Sequence, residues 1–244
     1  MRPLKHPSAE RVLEAVLEQI PYLEKEMLAL DSVVAPGDVC FDIGAAGGTY
    51  MYLLARKVGN SGQVYAFEPR PRSFRAIDRA RRILKLGAVS VHCVGLADEQ
   101  GSMEIVVPSW RGVPFTTRAY LASAYGKDAE QVPDGFTGVR PLTIPVTTID
   151  RFVADHTIHR IDFIKADVEG AELAVLEGGR ASIERWHPTI LLEVEERHLG
   201  RYGKHPCDVV EFLTGYGYRM HAFSGGVLFP VDHVTSTENN YLFI

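Results

Sequence analysis

Residues 39–50 read VCFDIGAAGGTY, and the fold is decided by how this stretch is read. An apolar run of strand type ends in Asp42; Gly44 and Gly48 follow in a GxxxG spacing, and TYMYLLARKV then takes helical periodicity. Glycines let the backbone approach a ligand where a Cβ would clash. The start of the helix adds backbone N–H groups without intrahelical partners. A dinucleotide turn needs GxGxxG counted from the first glycine, but Ala46 and Thr49 stand at its second and third glycine positions. Asp42 would also repel a pyrophosphate and attract an ammonium group. S-adenosylmethionine (SAM) has an amino-acid end, a sulfonium cation and no phosphate, so the turn suits it better. The residues expected to hold it here are Asp42, Gly44, Ala45 and Gly48.

Outward from the turn, QVYAFEP is a second strand ending in Glu68, 26 residues beyond Asp42, where a carboxylate can accept both ribose hydroxyls. VSVHCVGLA is a third strand, expected to end beneath the adenine. Leu96 would pack on the ring and Asp98 accept from its amine, although DEQG also reads as a hairpin turn. Strands alternate with helices (SFRAIDRARRILKLG, AELAVLEGGRASIERW, CDVVEFLTGYG), the pattern of an α/β fold with a mainly parallel sheet. MEIVV and LTIPVTTI interrupt the rhythm as an inserted strand pair. Between them, residues 108–141 form a Pro- and Gly-rich insert long enough to be a lid. Its Trp110, Tyr120, Tyr125 and Phe136 suit stacking on sugar rings, lid packing or an oligomer contact. RIDFIKADV and TILLEVEE resume the parallel strands, and YRMHAF, GVLFPV and NYLFI close the chain as antiparallel strands. Residues 1–36 are expected to be a helical segment, capped by Ser8 and broken at Pro21, packed on a single domain of residues 37–244.

With 46% hydrophobic and 23% charged residues, the 244-residue chain is no disordered polymer. No apolar run approaches the ~20 residues of a membrane span. Glu10, Glu14 and Glu18 interrupt any signal-peptide core, and three cysteines suit reduced thiols, so a cytoplasmic location is expected. A net charge of -5 makes nucleic acid an unfavoured partner. Arg72, Arg75, Arg79 and Arg82 nonetheless form a stripe, either a solvated helix face or a contact for a phosphorylated or lipid-linked substrate, a membrane surface or RNA. The oligomeric state is open.

The remaining candidates are carboxylates. RIDFIKADVEG ends in Asp167 with Glu169 two residues on, on one side of the chain if the strand persists that far. TILLEVEERH ends in Glu193, Glu195, Glu196 and His198. Ligands in open α/β sheets sit at the carboxyl ends of the strands, so these groups should gather beside the methyl donor. Glu169 reads equally well as a helix N-terminal acid that fixes the loop by accepting backbone N–H groups.

Taken together, DIGAAGG, the YAFEP acid, IPVTTID, IKADVEGAEL with LEGG, TILLEVEE and the final ENNYLF resemble the FkbM-type SAM-dependent methyltransferases over roughly residues 37–244. The resemblance implies a Rossmann-like seven-stranded, mainly parallel sheet with helices on both faces and a reversed last strand. It implies O-methylation of a sugar, glycolipid or natural-product hydroxyl, the acceptor being a small molecule or glycan. The family usually has Asn at the position of Ala46, a contact expected here from backbone or water. Similar sugar methyltransferases hold a divalent cation at the ends of the fourth and fifth strands, which implies Mg²⁺ or Mn²⁺ on Asp167, Glu193 and Glu195. The catalytic set is then Asp167, Glu193 and His198, with His198 as candidate base and His221 behind it. Competing readings are an RNA or protein methyltransferase using the arginine stripe and a SAM-binding protein without catalysis.

Overall fold

The computed structural model describes residues 25–110, 113–114, 120–121, 137–224, 226–235 and 238–244. Most of the expected N-terminal helix, including Ser8 and Pro21, lies outside them, as do Tyr125 and Phe136; Trp110 and Tyr120 are described by their backbone alone. Lys25–Ala29 forms a 3-10 turn leading into α1 (Leu30–Val33), and Met27, Ala29, Leu30 and Val34 are buried. Then come β1 (Val39–Ile43), α2 (Thr49–Val58), β2 (Gln63–Phe67), α3 (Pro71–Ile83) and β3 (Val89–His92). A second sheet holds β4 (Gly95–Leu96), β5 (Gly101–Trp110), β6 (Val113–Pro114), β7 (Tyr120–Leu121) and β8 (Gly138–Thr147). The chain continues through α4 (Ile149–Asp155), β9 (Phe163–Ala166), α5 (Glu172–Glu177), α6 (Arg180–Trp186), β10 (Thr189–Glu193), α7 (Glu196–Leu199) and α8 (Pro206–Gly215). It closes with β11 (Met220–Ser224), β12 (Val227–Pro230) and β13 (Asn240–Phe243).

The main sheet has the order β12-β11-β13-β10-β9-β1-β2-β3. From β10 to β3 its strands are parallel, and β13 runs antiparallel to both β10 and β11. That is the expected seven-stranded arrangement with a reversed last strand; the hairpin strand β12 adds an eighth. The central strands are apolar on both faces because helices cover both. Successive residues go to opposite layers: Cys40, Phe163 and Leu191 pack with α2 and α3, whereas Phe41, Ile164, Ile190 and Leu192 pack with α4, α5, α6 and α8.

Three local expectations are corrected. The third strand breaks at Cys93 and Val94, and Gly95–Leu96 leaves the main sheet to pair in parallel with β8. The single helix AELAVLEGGRASIERW is two, because Gly178 and Gly179 sit against the Ala97 carbonyl and the Ile149 side chain, where a Cβ would collide. LTIPVTTI ends as a strand at Thr147, and α4 begins at once with Thr148 as N-cap, its hydroxyl accepting from the Arg151 N–H. Among the described residues no helix is long and apolar enough to cross a membrane.

Candidate active site

A cleft lies at the carboxyl ends of β1, β2 and β9. Gly44, Glu68 and Arg70 form one side. The facing wall is apolar and comes largely from the second sheet: Leu96, Met103, Ile105, Ile144 and Val146. Asp167 and Glu169 line the cleft as well.

The glycine turn is built for close approach. Gly44 has φ 79°, and a Cβ there would collide with the Asp167 carbonyl oxygen. Gly48 starts α2 at φ 82°. Ala46 lies in the left-handed region at φ 44°, the backbone state in which Asn is enriched. Four N–H groups of the turn are engaged within the protein. Those of Gly44 and Ala45 donate to the Phe67 carbonyl, Gly48 N–H to Ala45 O, and Ala46 N–H to Glu68 Oε2 at 3.0 Å. The turn is held in shape by these bonds.

Glu68 is fully buried and binds Arg70 through both oxygens, with Nε at 2.7 Å and one terminal nitrogen at 2.8 Å. With the N–H groups of Ala46 and Arg70 as further donors, the carboxylate's about four lone-pair positions are filled, so a ribose hydroxyl binds it only by displacing one of these donors. Asp42, also fully buried, is sealed beneath the turn rather than on the cleft surface, with the Met51 N–H at the start of α2 beside its carboxylate. Burial pushes its carboxyl up to about 6, against the pull of Lys165, whose Nζ lies 3.9 Å away. Lys165 also reaches Asp167 Oδ2 at 3.4 Å, so one buried ammonium ties β1 to the end of β9. Leu96 sits in the apolar wall as expected. Ala45 and Gly48 are buried beside Asp42 and do not line the cleft; Asp98 is exposed in the bend between β4 and β5.

The acids gather, but not in the expected geometry. β9 ends at Ala166, so alternation does not carry Glu169 to the side of Asp167; a left-handed turn with φ 57° at Glu169 brings it there. Glu172, rather than Glu169, fixes this loop, as its Oε1 accepts from the N–H groups of Val168 and Gly170 at 2.9 and 3.2 Å. Burial raises its carboxyl to about 8. His198, 6% exposed, lies between Glu193, 3.1 Å from Nδ1, and the Arg197 guanidinium, 3.0 Å from Nε2, with Glu169 3.4 Å from the same nitrogen. With both nitrogens engaged and the ring buried, it is badly placed to meet an acceptor directly. His221 stands apart in β11, its Nδ1 3.0 Å from the Arg219 carbonyl. Burial, then repulsion from Asp167, Glu169 and Glu195, pushes Glu193 up to about 9. Donor atoms of Glu193, Glu195 and His198 all lie within 4.8 Å of one another, a set able to hold a metal that includes His198 in place of Asp167.

Comparison with known proteins agrees with this architecture. Residues 42–220 match the family model described as the methyltransferase FkbM domain. The chain is 30% identical over 214 residues to 31-O-demethyl-FK506 methyltransferase FkbM of Streptomyces tacrolimicus, covering 77% of this chain and 75% of that one. It is 24% identical over 180 residues to Methyltransferase 1 of Beauveria bassiana, covering 71% and 70%. A solved methyltransferase FkbM from Methylobacillus flagellatus shares the fold with TM-score 0.51 and 16% identity; the match covers 91% of this chain and about half, 51%, of that one. The chain belongs to the FkbM-type SAM-dependent methyltransferase family.

Arg70, Lys165, Glu172 and the wall residues Met103, Ile105, Ile144 and Val146 were not among the residues expected from sequence. Glu172 stands in IKADVEGAEL and Arg70 two positions after Glu68, signals visible in the letters but without a role until burial and pairing are known.

Proposed function

We propose that the protein transfers a methyl group from SAM to a hydroxyl of a sugar, glycolipid or natural-product acceptor. The observation that carries this reading is the meeting of Asp167 and Glu169 at the cofactor cleft with Glu193, Glu195 and His198 behind them. The Streptomyces relative's name supports oxygen as the acceptor atom, since it acts on 31-O-demethyl-FK506. When bound, SAM supplies an activated methyl; the protein's task is to hold the partners and dispose of a proton. The apolar wall around Leu96 and Ile144 fits the adenine, Glu68 the ribose, and Asp42 beneath the turn favours the cationic end. Asp167, its side chain 32% exposed and steadied by Lys165, is the acid placed to accept the hydroxyl proton. Aligning oxygen with methyl can itself contribute ~7–11 kcal/mol.

The cluster fits a divalent cation held by Glu193, Glu195 and His198. An imidazole among carboxylates suits Mn²⁺ better than the oxygen-preferring Mg²⁺. Such an ion would lower the pKa of a nearby hydroxyl. The test is transfer of labelled methyl into glycan and metabolite extracts, with and without EDTA. Loss of transfer in EDTA, restored by Mn²⁺ more fully than by Mg²⁺, is expected, and Asp167→Asn should lose turnover while keeping SAM affinity. Full turnover in EDTA would remove the cation and leave Asp167 as the proton acceptor.

A further inference from the structure

A second cavity, of about 500 Å³, shares Arg70 with the cofactor cleft. Arg70, Arg72 and Arg75 line it from the start of α3, and Arg140 lines it from β8. Among the described residues no acid lines it, and Arg72, Arg75 and Arg140 make no ion pair there. Farther along the helix, Arg81 and Arg82 both pair with Asp78. Helix α3 has no side-chain cap and Pro71 at its first position carries no N–H, so Arg72 and Ser73 supply the N–H groups at the positive end of the dipole. A second observation points to a ligand. Ser73 lines the same cavity, is 7% exposed, and its Oγ has no hydrogen-bond partner. A buried hydroxyl left unpaired is costly, and an acceptor oxygen delivered to this cavity would satisfy it.

We propose that this cavity is a phosphate site, taking the phosphate or diphosphate end of the acceptor. The assignment to the acceptor rests on the methyl-transfer reading above. SAM carries no phosphate, so the cofactor has no use for three unpaired arginines. Arg70 is committed to Glu68 and forms the partition, which puts the anion site directly beside the cofactor cleft. Guanidinium groups from two elements, N–H groups at a helix start and a free hydroxyl make the donor set that phosphate oxygens require. The recess between Pro71, Val107, Pro141 and Leu142 fits a terminal group better than a polyanionic strand, and the chain's charge of -5 disfavours one further.

The experiment is calorimetric titration of inorganic pyrophosphate into the full chain, alone and loaded with S-adenosylhomocysteine. Saturable binding is expected. Arg75→Ala should weaken it about tenfold, the smaller end of what a charge-assisted contact supplies, and Arg75→Ala with Arg140→Ala should abolish it. Affinity for S-adenosylhomocysteine should not change in either variant, which separates a failed anion site from a failed cofactor reading. A nucleoside-diphosphate sugar and phosphatidylcholine vesicles doped with phosphatidic acid distinguish a soluble from a lipid-borne phosphate, and arginine-dependent binding of either supports the site. No saturable pyrophosphate binding, or binding that survives the double substitution, would overturn the proposal. So would arginine-dependent binding of single-stranded RNA far tighter than that of pyrophosphate.

Discussion

Replacing Glu172 by Gln asks whether the acid loop is held by a neutral carboxyl. Glu172 is 1% exposed; Oε1 accepts two backbone N–H groups, and Oε2 has no partner. Burial outweighs those two bonds and carries the group from its ordinary 4.5 to about 8. Between these values the folded protein keeps a proton that the unfolded chain releases. Stability must therefore fall as pH rises through that window, by roughly 1.4 kcal/mol per unit. From pH 5 to pH 8 the loss is about 4 kcal/mol as an upper bound, because local relaxation lets water reach the charge. Gln keeps the oxygen that Val168 and Gly170 need and has no proton to lose. Glu172→Gln should match the parent within about 1 kcal/mol near pH 5 and then become the more stable protein by several kcal/mol at pH 8–9. Urea unfolding of both proteins across this range measures the difference, in which every other titrating group cancels. Parallel stability profiles would show that Glu172 is ionised in the fold, and the account of the loop would be wrong.

Gly44→Ala should lose binding of S-adenosylhomocysteine by more than about tenfold and lower Tm, because φ 79° and the Asp167 carbonyl leave no room for a methyl group; normal titration would contradict the close approach. Glu68→Gln should weaken SAM by about tenfold or more through its lost charge-assisted bonds, and an unchanged Kd would remove Glu68 from the site. Ala46→Asn, in the left-handed region at φ 44°, should raise stability by about 1 kcal/mol; a lower Tm would mean that the side chain meets the cleft badly.

Legibility from sequence followed how local each feature was. The β1 turn, Glu68 and the alternation of strands with helices rest on short-range patterns, and the burial alternation of Cys40 and Phe41 repeats what their apolar run implies. The break of the third strand was hidden because Val89–His92 and Gly95–Leu96 have the same apolar character, and only pairing with β8 tells them apart. The acids at the ends of β9 and β10 were visible as letters. Their roles were not: Glu172 rather than Glu169 fixes the loop, and His198 meets Glu193 and Glu169, because both facts depend on contacts across elements. Arg70 could not be given to Glu68 without knowing that the two are buried together.

The β5–β8 ribbon serves two chambers at different heights. Met103 and Ile105, with Ile144 and Val146, face the cofactor cleft; Val107, with Arg140 and Leu142, faces the arginine cavity. The two sets meet at the rung joining Ile105 to Leu142, where Ile105 lines the cleft and Leu142 the arginine cavity. Residues beyond that rung can be exchanged as a cassette while the wall below it keeps its register. A lineage could in this way trade one acceptor for another at the tip of the ribbon and inherit its methyl donor unchanged at the base.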